Sequence, residues 1–298
     1  MIYSVRHVTT YSYSRQVFLE PHAVRLLPRP EPVQQVLEHD LRIEPEPAGR
    51  AYGLDTWGNG FLQVWFSGMQ HTLRVESTCL VRTLRNNPFD YFLPPAGQTL
   101  PMDLSARERA DLRPCLTRRD PFRGEKMAAA TPPLNGGQDQ VTGLCEMLKY
   151  QTDSSSTGFL LALNSWIFEH VRRRERPEPG VLVPEALLSE RVGSCRDLAV
   201  LFVEVCRTAG IPARFVSGYQ EGDPDEPEAE LHAWAEAYLP GIGWRGYDPT
   251  HGLVVADRHI ALAAAPEPEQ TMPLSGNYRG TGVSSVITHT VRMTPQVE

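Results

Sequence analysis

The sequence predicts an α+β fold in which an antiparallel β region comes first and a region of helices followed by strands comes second. Alternating β-branched and aromatic residues dominate from Met1 to about Arg85. Apolar residues at helical spacing recur after that up to about Ala209, and alternating strands return from Ala213. Helices that precede a run of antiparallel strands are typical of α+β domains.

Residues 1–85 are predicted to form an N-terminal antiparallel β-sandwich. Segments with strand-like alternation are separated by proline pairs, and Gly58-Asn59-Gly60 supplies a tight turn because glycine adopts positive φ at little cost. Residues 86–156 are interpreted as a connector with short helices at about 105–116 and 139–150. Residues 157–298 are assigned to an α+β core.

Composition excludes several classes of function. The net charge of -7 and the absence of a large basic block argue against binding to nucleic acid. No apolar stretch approaches the roughly 18 residues that cross a bilayer, so we expect no membrane partner. The first residues lack a signal-peptide pattern, which predicts a cytoplasmic location. Five cysteines without a CxxC pair or zinc spacing favour neither disulfides nor a metal, and no cofactor is predicted.

Cys195 is the cysteine with a reactive setting. It follows Gly193-Ser194 and opens an apolar helical segment that is predicted to end at about Ala209, before Gly210. The partial positive charge at a helix N-terminus favours thiolate over thiol. Cys195 is therefore the candidate nucleophile.

A base and its orienting group are available on the strands downstream. His232 lies 37 positions after the cysteine at the start of a predicted strand, and Asp248 lies 16 positions further at the end of the next strand. A tight turn between these strands would bring the two side chains together. A thiol nucleophile needs a base of this kind, and the base needs an acceptor that fixes its tautomer.

Three motifs in this order resemble the core of the transglutaminase-like superfamily. They are Gly193-Ser-Cys-Arg-Asp197 with Ala209-Gly-Ile-Pro-Ala-Arg214, Leu231-His-Ala-Trp-Ala-Glu236, and Gly243-Trp-Arg-Gly-Tyr-Asp-Pro-Thr250. More narrowly, the chain is similar to bacterial transglutaminase-like proteins that are often described as candidate cysteine proteases. Residues 22–30 and 55–59 match their N-terminal domain, and Asp257-Arg-His-Ile260 also fits, whereas residues 263–270 depart from the pattern.

The resemblance implies a papain-like core with the cysteine helix packed on an antiparallel sheet. It implies that Cys195 is the nucleophile, His232 the general base and acid, and Asp248 the residue that orients the imidazole. The implied reaction is acyl transfer from a peptide or protein amide through a thioester. Trp234 and Trp244 could line the substrate groove or belong to the core of the hairpin.

The leading interpretation is a cysteine peptidase or amidohydrolase acting on a peptide or isopeptide. A transglutaminase that passes the acyl group to an amine would use the same residues. A non-catalytic interaction protein is a third hypothesis, and a zinc enzyme with Cys195, His232 and Asp248 as ligands is a fourth. The sequence leaves the substrate and the oligomeric state open.

Overall fold

A computed structural model describes residues 1–119, 139–176, 178–222 and 231–296. Its longer strands are β1 (Ile2–Val24), β2 (Gln34–Glu44), β3 (Gly49–Leu54), β4 (Gly60–Trp65), β5 (Gln70–Thr83), β8 (Ala213–Gln220), β9 (Leu231–Leu239), β10 (Gly243–Asp248), β12 (His259–Ala265), β13 (Leu274–Arg279) and β14 (Ser285–Gln296). Two-residue strands are β6 (Arg172–Arg173), β7 (Val192–Gly193) and β11 (Leu253–Val254). The helices are α1 (Pro95–Gln98), α2 (Ala106–Asp111), α3 (Arg113–Leu116), α4 (Gln140–Gln151), α5 (Ser156–His170), α6 (Pro184–Glu190), α7 (Cys195–Thr208) and a 3-10 turn at Pro268–Thr271.

The N-terminal region consists of antiparallel strands, as the sequence predicts, and they join in one seven-stranded sheet. Its order is β2-β5-β1-β4-β3. The first half of β1 pairs with β5 and the second half with β4. Alternate side chains of β1 and β5 are buried, which is the pattern that identified these strands.

The C-terminal strands also belong to this first sheet. The sequence assigned residues 157–298 to one core, whereas the structure pairs β13 with the end of β1 and β14 with its beginning. Residues 274–296 therefore complete the N-terminal sheet. Pairing between strands from opposite ends of a chain leaves no local pattern, so the alternation that predicts a strand cannot name its partner.

The core consists of a five-stranded antiparallel sheet, in the order β11-β10-β9-β8-β12, with α7 packed on one face. The helix begins at Cys195 as predicted and ends at Thr208, one residue before the predicted end. Gly210 follows with φ of 79°, a conformation that favours glycine after a helix. In the connector, α2 with α3 and α4 occupy the two predicted helical stretches, and residues 120–138 lie outside the described residues.

The two regions share an interface along β12. Tyr219, Ile260 and Leu262 of the core sheet are buried in the hydrophobic core of the first sheet. Two side-chain amides also bind the edge of β12, and we call this pair the amide clamp. Gln34 accepts from the N–H of Ala261 (2.9 Å) and donates to its carbonyl (2.9 Å). Asn59 does the same at Ala264 (2.8 and 3.0 Å).

The sequence predicts only a structural turn around Asn59, whereas in the structure its side chain also binds β12. Each amide presents one donor and one acceptor, as a neighbouring strand would, so the free edge of β12 is paired without a further strand. The clamp thereby fixes the position of β12 relative to the first sheet. Within the part of the chain that the structure describes, no helix combines the length and apolar character needed to cross a bilayer.

Candidate active site

The first turn of α7 is held by a buried carboxylate. Asp197 accepts hydrogen bonds from the Ser194 amide (2.8 Å) and hydroxyl (2.7 Å), from the Leu182 amide (2.7 Å) and from the Arg176 guanidinium (3.1 Å). These contacts tie the segment before the helix to its start. Cys195 and Arg196 lie between Ser194 and Asp197, so the contacts of Asp197 also fix the helix turn that carries Cys195.

Cys195 differs from the other four cysteines in its exposure. It is partly exposed, whereas Cys79, Cys115, Cys145 and Cys206 are buried. Burial raises the pKa of the Cys115 thiol to about 11 and that of Cys145 to about 11. Cys195 is therefore the cysteine that combines access with a helix N-terminus.

His232 contacts both of the other predicted triad residues. Its Nε2 lies 2.9 Å from Oδ2 of Asp248, and its side chain is hydrogen-bonded to Cys195. Because Nε2 faces the carboxylate, Nδ1 is the nitrogen left for the thiol. Burial by itself lowers the pKa of His232, but Asp248 and Cys195 outweigh it and raise the pKa to about 10. The structure thus brings the three predicted catalytic side chains into one hydrogen-bonded chain.

Asp248 is the centre of a larger cluster than the sequence suggests. Its Oδ2 is 2.9 Å from Nδ1 of His251 and 3.1 Å from Nε2 of His259, in addition to His232, and its Oδ1 accepts from the Thr250 amide (3.0 Å). Burial favours a raised pKa, but His232 and the hydrogen bonds from the histidines hold the pKa of Asp248 well below its usual range. The carboxylate is therefore a fully buried anion.

Two of these histidines were not assigned to the site from the sequence. The His251 side chain is 31% exposed, and its Nδ1 is bonded to Asp248. His259 received no role, although it lies in the Asp257–Ile260 motif that fits the family. That motif could have drawn attention to His259. Strands β9 and β8 separate β12 from β10 in the core sheet, so sequence spacing alone does not predict the contact between His259 and Asp248.

The two tryptophans behave differently from each other. Trp234 is 1% exposed and packs with Val216, Ala261 and Ala264, which agrees with the alternative that it belongs to the core. The N-terminal region covers the face of the core sheet on which Trp234 lies. The local sequence pattern does not predict this cover. Trp244 is half-buried and stacks under the Arg214 guanidinium at 4.1 Å. A substrate contact of Trp244 stays a prediction.

The zinc hypothesis required Cys195, His232 and Asp248 to converge on one point. Among the described residues, the side chains close enough to share a metal ion are instead His232, Asp248 and His259, with ligand atoms within 4.8 Å of one another. Cys195 is not part of this group. The separations of 2.9 and 3.1 Å between imidazole nitrogens and Oδ2 are those of hydrogen bonds.

Comparison with known proteins identifies both parts of the chain. Residues 146–249 match the family model of the transglutaminase-like superfamily, and residues 3–82 match that of the bacterial transglutaminase-like N-terminal region. An uncharacterized protein of Mycobacterium tuberculosis is 27% identical over 98% of this chain and 92% of its own length.

Two further similarities concern the fold and the core. A crystal structure of a candidate cysteine protease from Cytophaga hutchinsonii aligns with 99% of this chain and 98% of its own, with 18% identity and a TM-score of 0.66. A protein-glutamine gamma-glutamyltransferase of Pseudomonas aeruginosa is 38% identical over 112 residues, which are 33% of this chain and 16% of that protein. The chain belongs to the transglutaminase-like superfamily and carries the bacterial transglutaminase-like N-terminal domain.

Proposed function

We propose that this protein is a thiol-dependent acyl-transfer enzyme, most simply a cysteine peptidase or amidohydrolase that cleaves a peptide or isopeptide amide. One observation carries the proposal, namely the hydrogen-bonded chain from Cys195 through His232 to Asp248. A pKa of about 10 for His232 favours the imidazolium at neutral pH. In the proposed mechanism His232 holds the thiol proton, so the sulfur of Cys195 reacts as a thiolate.

The first half of the reaction forms a thioester. The thiolate attacks the amide carbonyl carbon, the C–S bond forms, and the electron pair of the carbonyl moves onto its oxygen. The backbone N–H of Cys195 is free for this oxyanion because the first amides of a helix have no partner within the helix. The Nδ1 proton of His232 passes to the leaving nitrogen, the electron pair on the oxyanion re-forms the carbonyl as the C–N bond breaks, and the amine departs from the thioester.

The second half releases the acyl group. Neutral His232 takes a proton from water, the resulting hydroxide oxygen attacks the thioester carbonyl, and the C–S bond breaks to give a carboxylic acid. The sulfur regains the thiolate state beside imidazolium. Asp248 remains an anion throughout and stabilises the positive charge on His232.

An amine can replace water in the second half, which would make the enzyme a transglutaminase. The 38% identity of the core to a protein-glutamine gamma-glutamyltransferase favours this second candidate. The triad is common to both reactions, because water and an amine compete for the same thioester.

A peptide library incubated with and without a labelled primary amine tests both candidates. We expect free acid to form in the presence of the wild-type protein and not with Cys195→Ala. Incorporation of label faster than release of acid would identify the transferase instead. Products that form equally with Cys195→Ala would contradict acyl transfer by this thiol.

A further inference from the structure

A small cavity lies behind the triad, between the first sheet region and the core sheet, and we call it the interface cavity. Its volume is about 30 Å³. Glu31, Gln34 and Arg85 line it from the N-terminal side, and Trp234, Glu236 and His259 line it from the core. A cavity needs a volume of roughly 10–15 Å³ to hold one water molecule, so the interface cavity has room for one or two water molecules.

Two of the residues that line this cavity carry a buried nitrogen with no hydrogen-bond partner among the described protein atoms. The two nitrogens are Nε1 of Trp234 and Nδ1 of His259. Both side chains are more than nine-tenths buried, and their rings meet edge to face with centroids 5.2 Å apart. A buried polar atom without a partner is costly, so two of them beside one cavity indicate a bound polar molecule.

The hydrogen-bonding roles of the two nitrogens are opposite. The Trp234 indole can only donate. Nε2 of His259 faces the Asp248 carboxylate at 3.1 Å and must donate to it, because the carboxylate is ionised. Burial lowers the pKa of His259, which favours the neutral ring. Nδ1 of a neutral ring with its proton on Nε2 is an acceptor.

We propose that the interface cavity binds a water molecule that accepts from Trp234 Nε1 and donates to His259 Nδ1, and that this water keeps His259 in the tautomer that donates to Asp248. One donor and one acceptor match the two capacities of water, and neither a cation nor an anion fits both. His259 and Trp234 are then positioning residues of the triad, acting on His232 through Asp248.

The site also gives the N-terminal region a role in the active site. The cavity is closed on one side by Gln34, and the same side chain binds the edge of β12 at Ala261, two residues from His259. The N-terminal region thus both encloses the water and fixes the strand that carries the histidine. This role rests on the proposed function, whereas the presence of the water does not.

Nuclear magnetic resonance on the full-length ¹⁵N-labelled protein tests the site without any substrate. We expect a cross-peak between the Trp234 indole proton and water, and a His259 ring with its proton on Nε2 alone. A wild-type protein without the water cross-peak, or with His259 divided between both tautomers, would overturn the proposal. These wild-type spectra decide the question even where a variant does not fold.

Trp234→Phe tests the consequence for the triad, because it keeps the aromatic ring and removes the donor. We expect a mixture of His259 tautomers and alkylation of Cys195 about threefold to tenfold slower, the effect of one lost hydrogen bond. Trp65→Phe, the same change on the first sheet away from the cavity, should alter neither. An unchanged His259 tautomer in folded Trp234→Phe would contradict the proposed water bridge.

The two proposals fail in different ways. If Cys195 is unreactive in the wild-type protein but the water cross-peak and the single tautomer are present, the acyl-transfer function fails and the water site stands. If Cys195 is reactive and the cross-peak is absent, the function stands and the water site fails.

Discussion

The two faces of strand β9 show how one alternating segment serves both packing and chemistry. Ala233, Ala235 and Ala237 are buried in the clusters that include α7 residues, and small side chains there let the helix approach the sheet. His232, Trp234 and Glu236 alternate with them and belong to the opposite face. That face carries the triad histidine and the contacts to the N-terminal region.

The difference between the faces lies in what each requires of its residues. The α7 face requires only apolar volume, so its contacts are interchangeable within a size limit. The opposite face holds buried charges that need specific partners, such as Glu236 with Arg214 at 2.6 Å and Asp248 with its three histidines. Substitutions on the first face should therefore change stability, whereas substitutions on the second face should change reactivity where the side chain contacts the triad.

The largest effect is expected at Cys195, whose side chain is hydrogen-bonded to His232. Cys195→Ser should reduce the rate of amide cleavage at least about a thousandfold. A serine hydroxyl gives up its proton to His232 much less readily than a thiol and is therefore a much weaker nucleophile. Cys206→Ser, buried in the same helix, should leave the rate per folded molecule unchanged and lower the free energy of unfolding by about 1–3 kcal/mol. Kinetics and urea unfolding measure the two outcomes, and equal losses of activity would contradict the distinction.

The buried carboxylates of Asp248 and Glu236 allow a catalytic and a structural charge on the polar face to be compared. Asp248→Asn should slow cleavage about a hundredfold or more, because an amide cannot stabilise the His232 imidazolium. Glu236→Gln removes the charge that faces Arg214 and should change stability rather than rate. Steady-state kinetics of both variants check this, and a Glu236→Gln enzyme as slow as Asp248→Asn would show that the whole face acts on the chemistry.

The pH dependence of the free energy of unfolding tests whether His232, on the polar face of β9, is charged in the folded protein. The pKa of His232 is about 10 in the folded protein and close to 6.5 in an unfolded chain. Its charged pairing therefore contributes fully below pH 6.5, and the contribution is lost as the pH rises from 6.5 through 10. We expect the difference in free energy of unfolding between wild type and His232→Gln to shrink across this window. A constant difference would indicate that His232 is neutral in the folded protein.

The smallest effect is expected at the amide clamp. Asn59→Ala leaves the buried N–H and carbonyl of Ala264 without the Asn59 partner, which should cost about 1–3 kcal/mol of unfolding free energy. Asn86→Ala, at an exposed position, is the control and should cost little. Urea denaturation measures both, and equal stability of the two variants would mean that the clamp does not stabilise the interface.

The sequence predicted the parts of the site that depend on local patterns. The start of α7 and the strands of His232 and Asp248 follow from capping residues, helical spacing and alternation, all of which act within a few residues. His259 is the member of the Asp248 cluster that could not be predicted in this way. His259 reaches Asp248 from β12, and its approach depends on the order of strands in the sheet.

Gly218 illustrates the same limit at the level of packing. A Cβ at this position would lie 2.2 Å from the Ile260 carbonyl and 2.5 Å from the Trp234 ring, so glycine is what allows β12 and Trp234 to approach β8. In the sequence it is one glycine within a predicted strand. The burial of Trp234 and the pairing of β13 and β14 with β1 likewise depend on distant segments that the local pattern does not specify.

The most direct test of the central claim is the alkylation rate of each cysteine by iodoacetamide at neutral pH, measured by peptide mass spectrometry on the wild type and on His232→Ala. We predict that Cys195 is modified first and selectively in the wild type, and that His232→Ala slows this modification while the four buried cysteines are unaffected. Equal rates for all five cysteines, or a Cys195 rate that does not depend on His232, would contradict a thiolate activated by the triad.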